Sequence, residues 1–357
     1  MTSGFLSTGR RETPSAVSAT SATLAVRAKP ARLAAAALLS ASLALSLLGA
    51  GAARADTYPS RPITLVVPFA AGGPTDVVAR AIGASMQKTL KQTIVIENKV
   101  GAGGTIAAAV VAKAQPDGYT FLIHHNGMAT APSLYRKLSY NPLTDFEYVS
   151  QVVDVPMTLI GRKDLPAKDF KELLVFLKTK GSAVNLAHAG LGAVSHLCGM
   201  QLRQAVGAEM TTIPYQGTAP AMAALLAGQV DVLCDQTTQT TGQIKAGAVK
   251  LYGVTTPTRL PTLPDTPTLA EQGLAGFKVV VWHGIYAPKH TPKVAIDAFG
   301  QALRVALKDP VVVQRMTELG AVIPSDDRLT PAGLQAWLTE EVHRYGPLIK
   351  SAGQFAD

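Results

Sequence analysis

Strand-like and helix-like segments alternate through this chain, stop, and then alternate again, and that interrupted rhythm leaves few folds open to it. Apolar, β-branched runs at 63–69, 93–97 and 119–124 read as strands, and the segments between them, 75–90 and 105–114, read as helices. Strand, helix, strand at this spacing predicts a parallel α/β sheet with right-handed crossovers. The strands are apolar throughout, as when both sheet faces are covered. Between 131 and 170 the pattern lapses into an irregular stretch and one long extended segment, 146–161. It then restarts with strands at 184–187, 210–214, 230–235 and 250–255 and helices at 195–206, 220–227 and 242–246. A proline-rich loop, a second extended segment at 277–286 and three helices, the last at 334–351, complete the chain.

Two long extended segments that bracket a second α/β unit predict two crossings between lobes. We expect residues 56–156 and 278–357 to form one lobe and 157–277 the other. The fold class is therefore α/β, a two-lobed, discontinuous Venus-flytrap arrangement of the periplasmic-binding-protein kind (type II-like). Ligands of open α/β sheets bind outside the carboxyl ends of the strands, so two such units facing each other would share one cleft.

Residues 1–55 read differently. Arg27, Lys29 and Arg32 precede an uncharged run of 21 residues, 33–53, and Ala53-Arg54-Ala55 supplies a small-x-small cleavage pattern. That order predicts a cleavable secretory signal and a periplasmic mature protein. The run is long enough to span a bilayer, but its Gly-, Ala- and Ser-rich second half and the Ala-x-Ala site favour cleavage. Arg10-Arg11 lies too far from the run to act as a twin-arginine signal. Of the 357 residues, 302 then remain, room for two modest domains. The leader holds six Lys/Arg and one Glu, so of the formal +9 only about +4 stays with the mature chain. That balance, with no basic stripe interleaved with aromatics, gives no case for nucleic acid. Cys198 and Cys234 are the only cysteines. In an exported chain they permit one disulfide, and two buried thiols are the alternative.

Four glycine-rich turns sit where strands hand over to helices. In VVPFAAGGPTDVVAR, residues 66–80, Gly73 is placed as an N-cap, Pro74 at the first helical position and Asp76 where its carboxylate can reach back to cap the turn. Bare backbone at Gly72 and Gly73, with the positive end of the helix behind it, suits a carboxylate. Each charge-assisted bond contributes about 1.5–3 kcal/mol. Residues 97–105, 188–196 and 215–220 are the other three turns, and Asp235-Gln236 ends a strand. None carries the Gly-Lys-Ser/Thr of a P-loop or a Gly-x-Gly-x-x-Gly, so no nucleotide cofactor is called for.

Tyr58-Pro59-Ser60-Arg61-Pro62-Ile63, the 66–80 segment, Glu97-Asn98 with Gly-Ala-Gly-Gly, Gln115-Pro116-Asp117-Gly118-Tyr119 and 282–288 together resemble the tripartite tricarboxylate transporter solute receptors, also called Bug proteins. The resemblance covers residues 57–352 in order. It implies a receptor that binds a small carboxylate and hands it to a two-component membrane permease. A monomer without cofactor or metal is expected. It also implies that the first glycine loop holds one carboxylate through backbone amides and bridging waters. Carried onto this chain, that role falls to Phe69, Ala70, Gly72, Gly73, Thr75 and Asp76. Asn126, Ser195, Thr218 and Asp235 stand where further ligand contacts are expected. His124-His125 departs from the small hydroxyl residues expected at the end of the third strand.

The alternative is a secreted α/β hydrolase acting on a small anionic substrate. Ser195 and His196 are neighbours on one helix and do not face each other, and no nucleophile elbow is present. The histidines show no metal-ligand spacing. Asp235 could meet an amino group on a ligand or cap the turn after its strand, and Trp282 could stack on ligand or pack in a hinge or core. No catalytic residue is assigned.

Overall fold

The computed structural model describes residues 58–351, together with 353 and 355. The predicted signal segment lies outside them. Among the described residues, nine strands and ten α-helices follow the alternation. The first group holds β1 (Ile63–Val67), α1 (Pro74–Leu90), β2 (Ile94–Asn98), α2 (Thr105–Ala112), β3 (Thr120–His125) and α3 (Gly127–Leu134). The long strand β4 (Phe146–Arg162) leads to α4 (Phe170–Lys180), β5 (Asn185–His188), α5 (Val194–Val206), β6 (Thr211–Pro214), α6 (Thr218–Leu226), β7 (Val232–Gln236), α7 (Thr237–Lys245) and β8 (Val249–Val254). Then β9 (Val280–Pro288) returns, followed by α8 (Lys293–Ala306), α9 (Pro310–Glu318) and α10 (Pro331–Ser351).

Parallel pairing holds within each group: β1 lies between β2 and β3, and β5 between β6 and β7. The two long strands run antiparallel to their neighbours. β9 pairs with β3 and with the first part of β4, as far as Pro156 opposite Val280. From Met157 onward β4 pairs instead with β7 and β8. One strand therefore carries the chain from the first ladder to the second, and its partners change between Pro156 and Met157.

Burial explains the patterning. Ile63, Leu65 and Val67 in β1 are fully buried, as are Val78, Ala79, Ile82 and Met86 on one face of α1. Four residues of that helix face recur at the 3–4 spacing of an amphipathic helix. Phe121 and Phe299 stack at 3.9 Å between β3 and α8.

Two helices were absent from the sequence reading. α3 contains Pro132, which disguises it. It forms nonetheless because its buried face packs on α10. α4 carries a signal that was there to be read: the Asp169 carboxylate accepts from the Glu172 amide at 2.8 Å, and the Glu172 carboxylate accepts from the Lys168 amide at 2.8 Å, a reciprocal cap. Cys198 on α5 and Cys234 on β7 form a disulfide with Cα atoms 6.2 Å apart.

Candidate functional site

The glycine turn after β1 is built by its own side chains. Gly72 has φ +76°, which an L-residue rarely adopts. Its amide donates to Asp76 Oδ2 at 2.9 Å. Asp76 Oδ2 also accepts from Arg80 Nε at 2.8 Å, and Oδ1 accepts from Asn98 Nδ2 at 3.0 Å. Asn98 Nδ2 donates in addition to the Phe69 carbonyl. Burial opposes ionisation of Asp76, but the Arg80, Gly72 and Asn98 hydrogen bonds outweigh it and hold the carboxyl below its ordinary value.

This geometry corrects one expectation. The Gly72 and Gly73 amides are not bare: the first is taken by Asp76 and the second donates to the Ala70 carbonyl at 3.3 Å. Ala70's amide donates to the Gln216 carbonyl at 3.0 Å. The amides without an intrahelical partner are those of Thr75 and Asp76, in the first turn behind Pro74. The tight turn aims the helix end; it does not itself present the donors.

Five of the residues singled out in the sequence, Phe69, Thr75, Ser195, Thr218 and Asp235, line one enclosed space, joined by His125 and Gln236. Pro74, Met157 and residues of the 188–196 turn complete it, and the open volume between them is about 10 Å³, room for about one water molecule, so a ligand enters only as the walls part. Ala70, Gly72, Gly73 and Asp76 frame this space without lining it. Asn126 is elsewhere. Its Nδ2 donates to the Val280 carbonyl and to Tyr345 Oη, and its Oδ1 accepts from the Trp282 amide, so it ties the end of β3 to β9 and α10. Trp282 is buried, with its indole N–H donating to Glu341, and is a core residue.

The glycine turns meet beside the space, around a neighbouring cavity that shares Phe69 and Ala189 with it. Tyr135 Oη lies 2.7 Å from the Ala102 carbonyl and 2.9 Å from that of Leu191, so one proton is shared between two turns. Thr130 Oγ1 donates to the Gly192 carbonyl at 3.0 Å. A Cβ on Gly103, which has φ +61°, would overlap the Leu191 carbonyl. Close backbone approach is thus what that glycine is for.

Three buried histidines stand under the first turn. His125 stacks on Phe69 at 4.7 Å, and His283 shares a hydrogen bond of 3.1 Å with Thr75 Oγ1. Burial lowers His124 to about 4 and His283 to about 3, and pushes His125 well below the ordinary histidine value with help from its two neighbours. All three are neutral at pH 7. Sequence alone gave no sign that His283, on a distant strand, joins His124 and His125. Among the described residues no group of three or more His, Cys, Asp or Glu is arranged to hold a metal ion.

The far wall differs. Ser195 Oγ accepts from the Ala189 amide at 2.9 Å, which leaves its own proton free to donate. Thr218 Oγ1 lies 3.0 Å from Gln239 Oε1, which takes its proton. Asp235 is fully buried. Its Oδ1 accepts from the Gln236 amide at 2.7 Å, and its Oδ2 has no hydrogen-bond partner, nor does Gln236 Oε1. Burial pushes the Asp235 carboxyl up to about 7, with the Gln236 amide and the nearby Thr218 hydroxyl pulling the other way.

The family model described as "Tripartite tricarboxylate transporter family receptor" matches residues 78–354. This chain belongs to that receptor family. The structure of the periplasmic binding protein BugD superimposes with a TM-score of 0.82 at 52% identity, covering 84% of this chain and all of that one. MatC of Rhodopseudomonas palustris, solved with bound malate, gives 0.79 at 41% identity over 82% of this chain and all of its own. A UPF0065 protein from the TAR-I ttuE–ttuC' intergenic region of Agrobacterium vitis is 48% identical over 299 residues, 84% of this chain and 86% of that protein. The receptor shares the two-lobed solute-binding fold of these structures. Among its described residues, no helix is long and apolar enough to cross a membrane.

Proposed function

We propose that this receptor captures a small carboxylate in the periplasm and delivers it to a cognate two-component permease. The observation that carries the reading is the enclosed space at the α1 N-terminus, where the Thr75 and Asp76 amides lack intrahelical partners and no Lys or Arg lines the wall. Backbone amides at a helix N-terminus bind carboxylates without a cationic side chain. Malate in the MatC structure is of the same chemical class. The working lobes are residues 56–156 with 278–357, and 157–277. They hinge where β4 changes partners, after export through the 1–55 leader, and the receptor acts as a monomer.

A hydrolase reading has less support, because His196 Nδ1 faces the Gly192 amide. A thermal-shift panel of mono-, di- and tricarboxylates, run beside esterase and phosphatase assays, tests the reading. One or a few acids should raise the melting temperature with no turnover. Turnover, or no shift with any acid, contradicts it. Loss of uptake of the same acid on deleting the neighbouring permease tests the delivery step.

A further inference from the structure

The far wall of the pocket is short of donors. Asp235 Oδ2 and Gln236 Oε1 are both buried acceptors without partners, on adjacent residues at the end of β7, and both residues line the pocket. Neighbouring protons are committed elsewhere: the Thr218 hydroxyl to Gln239 and the Gln236 amide to Asp235 Oδ1. No Lys or Arg lines the space, and His125 is neutral. A buried carboxylate oxygen without a hydrogen bond is costly, and in a binding site the missing donor is most simply supplied by the ligand. The opposite side has the reverse character: Thr75 lines it, and the Thr75 amide and the Asp76 amide behind it lie at the positive end of α1.

We propose that the ligand carries a protonated amine as well as a carboxylate, with the ammonium held by Asp235 and Gln236 and the carboxylate by the first turn of α1. This rests on the carboxylate-receptor reading above and narrows it to amino acids. A zwitterion presents opposite charges to walls of opposite polarity. An ammonium offers three N–H donors, enough for Asp235 Oδ2 and Gln236 Oε1 together. A hydroxyl offers one donor and leaves the Asp235 charge uncompensated. A plain dicarboxylate would set its second anion against Asp235 and could bind there only with the Asp235 carboxyl protonated, so its binding would weaken as pH rises through about 7.

The test is calorimetry on the mature protein with matched pairs: aspartate and succinate, glutamate and glutarate, alanine and propionate, phenylalanine and 3-phenylpropionate, with malate as the hydroxyl analogue. At least one amino acid should bind tenfold or more tighter than its amine-free partner, and Asp235→Asn should erase that preference. The Asn side chain keeps the shape and one acceptor, so the variant remains folded, which a melting curve checks. An amine-free acid or malate that binds as tightly as its amino counterpart overturns the inference and leaves the carboxylate reading standing. So does an Asp235→Asn variant that keeps the preference. If no member of any pair binds, the carboxylate reading falls and the inference with it.

Discussion

Two aspartates are buried beside one pocket, Asp235 in its wall and Asp76 in the turn that frames it, and they are treated in opposite ways. Asp76 accepts from Gly72, Arg80 and Asn98 and is held ionised. Asp235 accepts only from its neighbour's amide, and its carboxyl is pushed up to about 7. The difference lies in what each has to do. Asp76 finishes a structure that the protein completes alone: it shapes the turn that aims the helix end. Asp235 keeps one carboxyl oxygen without a partner. On the reading proposed above, the satisfied carboxylate is scaffolding and the orphaned one is a ligand contact.

The two walls are also fastened differently, and this gives the largest expected effect. The disulfide joins the helix that carries Ser195 to the strand that carries Asp235, while the first turn is held without a covalent bridge, by hydrogen bonds, the Asp76–Arg80 ion pair and the Phe69–His125 stack. Closing a loop of 36 residues' separation stabilises the fold by about 3–4 kcal/mol. Cys198→Ala with Cys234→Ala should therefore lose about that much in denaturant unfolding. A change under 1 kcal/mol would show that the bridge does not fasten the far wall.

The walls work together only if the glycine turns can meet. Gly103→Ala should weaken binding of the identified acid at least a hundredfold, because its Cβ collides with the Leu191 carbonyl on closure. Ligand-free stability should fall by only about 1–2 kcal/mol, the cost of a left-handed L-residue. Equal losses in calorimetry and in melting would mean that the contact is part of the fold itself.

Asp76→Ala should destabilise the protein by about 2 kcal/mol, at the upper end for a cap because it also strands the Gly72 amide and Asn98. The Asp76 pKa is lowered on folding, so its contribution is present at neutral pH and is lost as pH falls through and below the ordinary carboxylate range. Melting curves of wild type and variant should therefore converge only in strong acid. Curves that meet near pH 7 would contradict the assignment.

The smallest effect has the opposite sign. Asp235 has its pKa raised on folding, so what it contributes is present below the unfolded value near 3.8 and is lost as pH rises through about 7. Above that pH the ligand-free protein holds a buried anion with one oxygen, Oδ2, unpartnered. Asp235→Asn should raise its melting temperature by a few °C at pH 8, and the gain should vanish towards pH 4. A variant that melts lower at pH 8 would place Asp235 with Asp76, as scaffolding.

How much of this was legible in the sequence follows the same division. The first turn announced itself, because a backbone that must bend sharply and start a helix needs Gly72, Gly73, Pro74 and Asp76 in that order. What the letters could not show was which amides remain once Asp76 has taken its share, since that depends on hydrogen bonds rather than residue types. The far wall was legible only as polar residues near strand ends. Gln236 and His283 join the site's surroundings through pairing registers, β4 with β7 and β3 with β9, that local pattern does not encode. Asn126 was misread because a polar residue after a strand serves equally well as a staple between elements. The 163–183 region concealed α4, although Asp169 and Glu172 spelled its cap.

The opposed polarity of the two walls is tested most directly by a crystal structure of the mature protein carrying the acid that it binds most tightly in the calorimetric panel. The ligand carboxylate should lie within hydrogen-bond distance of the Thr75 and Asp76 amides, and a ligand ammonium within about 3 Å of Asp235 Oδ2. A carboxylate seated against Asp235, or a ligand held without contact to the first turn of α1, would contradict it.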